Sequence, residues 1–248
     1  MRKIVILIVG LVFVGALAWG QHFYAVHYSR AGGQDLEISL CNTTGKDSSY
    51  TIRAYDPWGK PLWEATGVLR PHNAAFHLIG NQVPEKETNW GVLVVDSQEP
   101  LVLGLEYSAK GRLHSVDIVS TVVPAREAGT AFQVAGYYSQ VPDSFMALAV
   151  MNPWDQAVSG RLVVYKSDGS VAYQGDISLA AYESNSYSLA KLVGEDVTLW
   201  GLVEVVTDGA PVVMAAKLLI GGVLQVKNVI GALRVVVQPA APTPPRKV

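Results

Sequence analysis

The chain has 248 residues, of which 50% are hydrophobic and 16% are charged, with 19 basic and 21 acidic residues. This length is sufficient for one large domain or two ordinary ones. The sequence contains no basic block and no long acidic run, so electrostatics give no support to a nucleic-acid-binding function.

The first 20 residues have the three parts of a secretory signal peptide. A positive start at Arg2 and Lys3 precedes an apolar stretch at 4–14 and an Ala-Leu-Ala cleavage site at 16–18. The alternative is an uncleaved signal anchor, for which the apolar stretch is short. Both interpretations place the rest of the chain outside the cytoplasm, in the periplasm, at the cell surface or secreted.

The rest of the chain aligns with itself at a nearly constant offset. The matching positions include Tyr28 with Tyr138, Asn42 with Asn152, Tyr55 with Tyr165, Gly59 with Gly169, Leu69 with Leu179, and Trp90-Gly91 with Trp200-Gly201. Matches spread over a whole module indicate a tandem duplication. We therefore predict a signal peptide or anchor at 1–20, a first repeat at 21–120, a linker at 121–130, a second repeat at 131–234 and a Pro-rich tail at 235–248.

Each repeat is predicted to consist of short strands separated by turns, without a helix. The strands are expected near 22–29, 35–42, 49–56, 61–66, 73–79, 90–97, 101–108 and 112–119, and near 132–139, 145–151, 159–166, 170–176, 184–190, 200–207, 211–219 and 223–230. Asp56-Pro57-Trp58-Gly59 and Ser167-Asp168-Gly169-Ser170 are typical turn sequences. This pattern predicts an all-β chain of two tandem antiparallel β-sandwiches with an immunoglobulin-like or fibronectin-III-like architecture.

Several side chains have an expected structural role. Trp90 and Trp200 each begin a strand and are predicted to fill the core of their repeat. Cys41 is the only cysteine, so it has no intramolecular disulfide partner, and we expect it to be buried on a strand. The five histidines all lie in the first repeat and are expected at the surface or half-buried, without a metal site.

No catalytic, metal-binding or cofactor motif is present. Glu106 and Glu204 are not shared between the repeats, and each is expected to face solvent or to be an edge charge. Trp58 in a Pro-Trp-Gly turn and Trp154 in an Asn-Pro-Trp-Asp loop are predicted to be exposed, with Trp63 and Tyr182 nearby. Exposed aromatic rings on loops stack on sugars or anchor protein partners. These four residues are therefore the candidate ligand- or partner-binding site, with a ring folded back over the sandwich as the alternative.

The leading hypothesis is an exported, non-enzymatic structural or binding protein whose partner is a cell-surface or periplasmic protein or polysaccharide. A membrane partner follows only if the N-terminal segment is uncleaved. The first alternative is a self-assembling surface or filament subunit that adds strands such as 201–206 and 212–220 to a neighbour's sheet. The second alternative is a hydrolase with its site between the two repeats.

Overall fold

The computed structural model describes residues 22–140, 144–194, 198–220, 223–228 and 234–236. These residues form an all-β fold of four antiparallel sheets, which confirms the predicted all-β, antiparallel class. The predicted signal peptide at 1–20, and the predicted tail from residue 237 onward, lie outside the described residues. Among the residues that are described, no helix is long and apolar enough to cross a membrane.

The strands follow the prediction to within one residue at most ends. The strands of the first half of the chain are β1 His22–Ser29, β2 Gln34–Asn42, β3 Ser48–Tyr55, β4 Pro61–Leu69, β5 Ala74–Leu78, β6 Trp90–Ser97, β7 Leu101–Ala109 and β8 Arg112–Val119. The elements of the second half are β9 Ala131–Gln140, β10 Ser144–Met151, β11 Val158–Lys166, β12 Val171–Leu179, β13 Ser184–Ser188, α1 Leu189–Val193, β14 Leu199–Asp208, β15 Val213–Ile220, β16 Val223–Asn228 and β17 Arg234–Val236.

The four sheets form two equivalent pairs. In the first half, sheet A has the strand order β1-β6-β3-β4 and sheet B has the order β5-β2-β7-β8. In the second half, sheet A′ has the order β12-β11-β14-β9-β17 and sheet B′ has the order β13-β10-β15-β16. Read from β9 to β12, sheet A′ repeats the order of sheet A, and sheet B′ repeats that of sheet B.

Two elements of the second half were not predicted. The strand expected at 184–190 ends at Ser188 and continues as helix α1, which buries Leu189. The chain was assigned to a tail from residue 235, but β17 pairs with the outer edge of β9. The edge of a sheet has unpaired backbone N–H and C=O groups. A further strand can pair with them even when its side chains show no alternating pattern. The expectation of no helix and the start of the tail were therefore wrong.

Matching asparagines close the same loop in both halves. The Asn42 side-chain nitrogen donates hydrogen bonds to the carbonyl oxygens of Lys46, Leu69 and Arg70 at 2.7, 3.2 and 3.1 Å. The Asn152 side-chain nitrogen makes the equivalent bonds to Gln156, Leu179 and Ala180 at 2.8, 3.5 and 2.7 Å. Buried amides are retained where they satisfy several carbonyls. The two halves therefore close this loop in the same way, and their origin by duplication stays a prediction.

The sheets are stacked in the order B, A, B′, A′. Each half has its core between its own two sheets, and the outer face of sheet A packs against the outer face of sheet B′ through contacts of β1 with β15 and of β6 with β10 and β13. The edge strands β8 and β16 also meet, and the Ser115 hydroxyl donates to the Val226 carbonyl at 2.9 Å. Strands β1 and β6 are therefore covered on both faces, which explains their nearly continuous apolar sequences.

This topology removes one form of the predicted self-assembly. The segments expected to add to a neighbour's sheet, 201–206 and 212–220, lie mainly in β14 and β15. Strand β14 is paired with β11 on one side and β9 on the other, and β15 lies between β10 and β16. Both strands have neighbours on each side, so strand addition through these two segments was a wrong prediction.

Candidate functional site

A cleft of about 910 Å³ opens at one end of the contact between sheets A and B′. Residues of both halves line it, with more from the first half than from the second. The lining residues with polar, charged or aromatic side chains are Ser29, Gln34, Glu87, Trp90, Lys110, Arg112 and His114 from the first half, and Ser186 and Lys217 from the second. The cleft therefore exists only where the two halves meet.

Lys217 and Trp90 form the contact between the halves at this cleft. Lys217 lies on the outer face of β15, opposite Ala147 of β10. Its ammonium group is 5.9 Å from the centre of the Trp90 ring, a cation–π arrangement. Burial lowers the pKa of Lys217 to about 8. The protein thus holds a desolvated cation against an aromatic ring at the cleft.

The fully buried His27 lies next to this pair. Its ring centre is 6.2 Å from that of Trp90, and its side chain faces outward from sheet A because its neighbours Val26 and Tyr28 point into the core. Burial, with a smaller contribution from the Lys217 charge, holds the pKa of His27 well below its usual range. His27 is therefore neutral at physiological pH, and the expectation that every histidine is half-buried or exposed was wrong for this residue.

The cleft has an excess of positive charge. Lys110 and Arg112 are exposed at its rim, and Lys217 lies deeper. Glu87 is the one carboxylate among the described lining residues, and it accepts a hydrogen bond from the Gly32 backbone nitrogen at 3.2 Å. No described carboxylate lies within ion-pair distance of the Lys217 ammonium. The arrangement is suited to binding an anion.

The four predicted site residues are distributed over two places. Tyr182 stacks on Tyr55 with ring centres 4.0 Å apart, and its backbone nitrogen donates to the Trp154 carbonyl at 2.9 Å. Trp58 pairs with Glu183 in an isolated β-bridge and is 67% exposed. Trp58, Trp154 and Tyr182 therefore lie together at the junction of the two halves. Trp63 lies elsewhere, half-buried, with its ring 5.7 Å from the His77 ring.

Trp154 is not the exposed loop residue that the sequence predicted. It is 7% exposed, its ring stacks on Phe23 of the other half at 4.9 Å, and its indole nitrogen donates to the Pro211 carbonyl at 2.7 Å. The packing of sheet A against sheet B′ covers this loop. Among the four candidates, Trp58 is the exposed ring and Trp154 has a structural role.

Trp90 and Trp200 do not fill the cores of their halves. Gly91 and Gly201 take the inward position instead, opposite Tyr28 and Tyr138, so both indoles point outward. A Cβ atom at Gly91 would collide with the Tyr55 carbonyl oxygen, which explains why this position is a glycine. Trp90 is half-buried at the cleft, whereas Trp200 is 56% exposed. The core prediction was wrong for both.

Two further sequence expectations are corrected. Cys41 is half-buried, because its side chain is on the outer face of sheet B. Glu204 is in the central strand β14, where its carboxylate accepts hydrogen bonds from the Gln133 amide and, at 2.8 Å, from the Tyr165 hydroxyl. It is therefore neither a free surface charge nor an edge charge. Over the described part of the chain, no group of three or more His, Cys, Asp or Glu side chains could hold a metal ion.

The outer faces at the two ends of the stack carry exposed apolar side chains. On sheet A′ these are Tyr137, Trp200 and Leu202, with 63%, 56% and 41% exposure. On sheet B they are Phe76, Leu78, Val116 and Ile118, with 67%, 39%, 51% and 70% exposure. Together they are seven of the twelve large exposed hydrophobic residues of the described chain. Such concentration on two faces marks candidate interaction surfaces.

No protein-family model and no curated protein matches the sequence. Among solved structures, the chain is similar to a calcium-binding mutant of Bacteroides uniformis beta-glucuronidase 2 (13% identity, TM-score 0.17, 83% of this chain and 26% of that chain). It is also similar to a Bacteroides cellulosilyticus glycosyl hydrolase family 2 member (8% identity, TM-score 0.18, 86% and 30%). The chain thus spans a minor part of these proteins.

Sequence reasoning missed the cleft residues. Arg112, His114 and Lys217 belong to no motif, and they come together only through the packing of one half on the other. One feature of the sequence could have indicated Lys217. It aligns with Glu106 of the first predicted repeat, so a positive charge at this position occurs only in the second repeat.

Proposed function

We propose that this chain is an exported, non-enzymatic binding protein that holds an acidic ligand in the cleft between its halves. The observation that carries this proposal is the half-buried Lys217 ammonium group, which lies 5.9 Å from the Trp90 ring centre without a described carboxylate partner. A desolvated cation without a counter-ion is unfavourable, and a bound anion removes that penalty. Arg112 at the rim adds a group that binds carboxylates with two parallel hydrogen bonds.

The ligand class that fits best is an acidic oligosaccharide. The hydroxyl and amide groups of Ser29, Gln34 and Ser186 also line the cleft and can pair with sugar hydroxyls. A volume of about 910 Å³ accommodates several sugar units. The exported location inferred from the N-terminus would bring the protein to cell-surface polysaccharides, which are one of the two predicted classes of partner beside proteins.

Calorimetric titration of the full chain with uronic-acid oligosaccharides, and with neutral oligosaccharides of the same length, tests this proposal. We expect the acidic series to bind, and Lys217→Met or Arg112→Ala to weaken binding by about tenfold, the value of one charge-assisted hydrogen bond. Lys166→Met, an exposed lysine at the end of β11, is the matched control. Equal binding of neutral sugars, or unchanged binding by Lys217→Met, would contradict the proposal.

The hydrolase alternative receives less support from this cleft. Glycoside hydrolysis in its usual form needs two carboxyl groups about 5–10 Å apart. Among the described residues that line the cleft, Glu87 alone is a carboxylate, and it already accepts the Gly32 amide hydrogen bond. A binding role needs only the cations and the hydroxyl groups.

Export can be tested separately. We expect the mature protein, recovered from the extracytoplasmic fraction, to begin at Trp19 or Gln21, after one of the small-residue cleavage sites. Intact protein in the membrane fraction would indicate the signal-anchor alternative. Intact protein in the cytoplasm would contradict export.

A further inference from the structure

Within the chain, one face of each half is buried by the other half. The outer face of sheet A presents Ala25, His27, Val92 and Val94, which are all at most 1% exposed. On the facing outer side of sheet B′, the buried Ala147, Ala149 and Ala215 are small side chains next to Lys217, and Met151 and Val213 follow them on the same side. Small residues let two sheets approach closely. This A–B′ contact is the established interface of the molecule.

On the equivalent faces of the other two sheets, no further sheet of the described chain packs, and apolar side chains are exposed. Sheet A′ corresponds to sheet A, and on its outer face Tyr137, Trp200 and Leu202 stand where His27, Trp90 and Val92 stand on sheet A. Sheet B corresponds to sheet B′, and its outer face is the opposite end of the stack. Each half therefore has a face equivalent to each partner of this interface, and the chain uses one face of each half. Sheet A′ differs from sheet A by the added strand β17 at its β9 edge.

We propose that the outer face of sheet B in one copy of the chain packs against the outer face of sheet A′ in a second copy, repeating the A–B′ contact between molecules. The stack B, A, B′, A′ then continues with B of the next copy. Because the two faces differ, the contact is head-to-tail, and such contacts form open chains unless the rotation between copies closes a ring. This proposal is independent of the ligand proposed for the cleft.

The residues of sheet B fit this position. Ser39 and Gly104 are neighbours on adjacent strands and correspond to Ala149 and Ala215, so the middle of the face is small in both sheets. Phe76 and Ile118 stand at the two sides of this strip. Two large apolar side chains that flank a small floor form a shallow groove, and the indole of Trp200 is the protruding group of the opposite face.

The charged residue and its aromatic partner both differ between the A–B′ contact within the chain and the proposed contact between copies. Lys217 lies over Trp90 beside the neutral His27, and Glu106 occupies the position of Lys217 on sheet B. In the proposed contact, Glu106 approaches Trp200 and Tyr137, and the Tyr137 hydroxyl can donate a hydrogen bond to the carboxylate. A cation beside a ring face in one contact is thus replaced by an anion beside a phenol in the other.

The contact is expected to be reversible. A four-stranded face about 19 Å wide and 26 Å long offers on the order of 500 Å² on each copy, at the lower end of specific interfaces. Glu37 and Glu106 add two carboxylates that oppose burial of the sheet B face. Association should therefore depend on protein concentration.

Sedimentation velocity of the full chain, from about 1 µM to about 1 mM, tests the proposal with two blocking variants. Trp200→Glu blocks sheet A′, and Ile118→Glu blocks sheet B. Val68→Glu, which changes a 65% exposed residue outside both faces, is the control. We expect the unaltered chain and the control to associate as concentration rises, and each blocking variant alone to remain monomeric.

The decisive sample is an equimolar mixture of the two blocking variants. Each retains the face that the other lacks, so the mixture should form heterodimers and stop there. An unaltered chain that stays monomeric, a mixture that stays monomeric, or a single blocking variant that still associates would overturn the proposal. Circular dichroism of each variant verifies that the fold is retained.

Discussion

Four strands of sheet A′ repeat the strand order of sheet A, but the outer faces of the two sheets lie in different environments. The outer face of sheet A is buried under the second half, whereas Tyr137, Trp200 and Leu202 on sheet A′ are exposed. The difference teaches that the two halves share inward side chains, whereas their outward side chains differ with what packs against them. Asn42 and Asn152, which face the core and the loop, bond alike in both halves.

The largest expected effect comes from exchanging outward residues between the two sheets. Val94→Glu places on sheet A the residue that stands at the equivalent position of sheet A′, but Val94 is 1% exposed. Arg53 lies opposite this position but already forms ion pairs with Glu64 and Asp96. A further carboxylate buried there should therefore lower the free energy of unfolding by about 4 kcal/mol or prevent folding. The reverse change, Glu204→Val, should alter the free energy of unfolding by less than about 1 kcal/mol. Urea denaturation measures both, and equal losses would show that the two faces are equally buried.

The outer faces also show how much of the structure could be predicted from the sequence. Period-two alternation and turn residues predicted the strands, because the core of each half follows from local patterns. The nearly continuous apolar sequences of β1 and β6 indicate that these strands of sheet A are buried on both faces. Such a sequence does not identify which part of the chain covers the second face. For this reason Trp154 was expected on the surface and Trp200 in the core.

The cleft could not be predicted for a related reason. Lys217 and Trp90 are far apart in the chain and share no motif, so their contact exists only in the packed stack. Trp58 was selected as an aromatic residue on a turn and Tyr182 as an aromatic residue near the exposed loops, and the structure places both at the junction of the halves. Their role in binding remains a prediction.

A smaller effect is expected at two equivalent turn residues with left-handed backbone. His72 and Tyr182 both have φ of 56°. The Tyr182 ring stacks on Tyr55 across the junction, whereas His72 is exposed. Tyr182→Gly should therefore lower the free energy of unfolding by about 2 kcal/mol through loss of the stacked ring, and His72→Gly should change it by less than about 0.5 kcal/mol, because relief of strain offsets the added flexibility. Thermal and urea denaturation of the pair measure this difference, and losses of equal size would contradict a role for the stack.

The smallest effect concerns the charge of Lys217 and depends on pH. Its pKa is lowered from 10.5 to about 8 in the folded protein, so between these values the unfolded chain binds a proton that the folded chain lacks. The stability of the unaltered protein should therefore rise with pH through this window. Lys217→Met should be more stable by about 1 kcal/mol at pH 7, and this advantage should shrink toward pH 10. An advantage independent of pH would show that Lys217 is solvated.

Hydroxyl-radical footprinting of the unaltered chain at low and high protein concentration tests the central claim most directly. At low concentration, oxidation of Trp200 and Trp58, which are 56% and 67% exposed, should be fast, and that of Trp90 should be slower. At high concentration, Trp200 and Phe76 should become protected while Trp58 does not. Oxidation of Trp200 that matches Trp90 at low concentration, or that stays unchanged as the concentration rises, would contradict an outer face left open for a second copy.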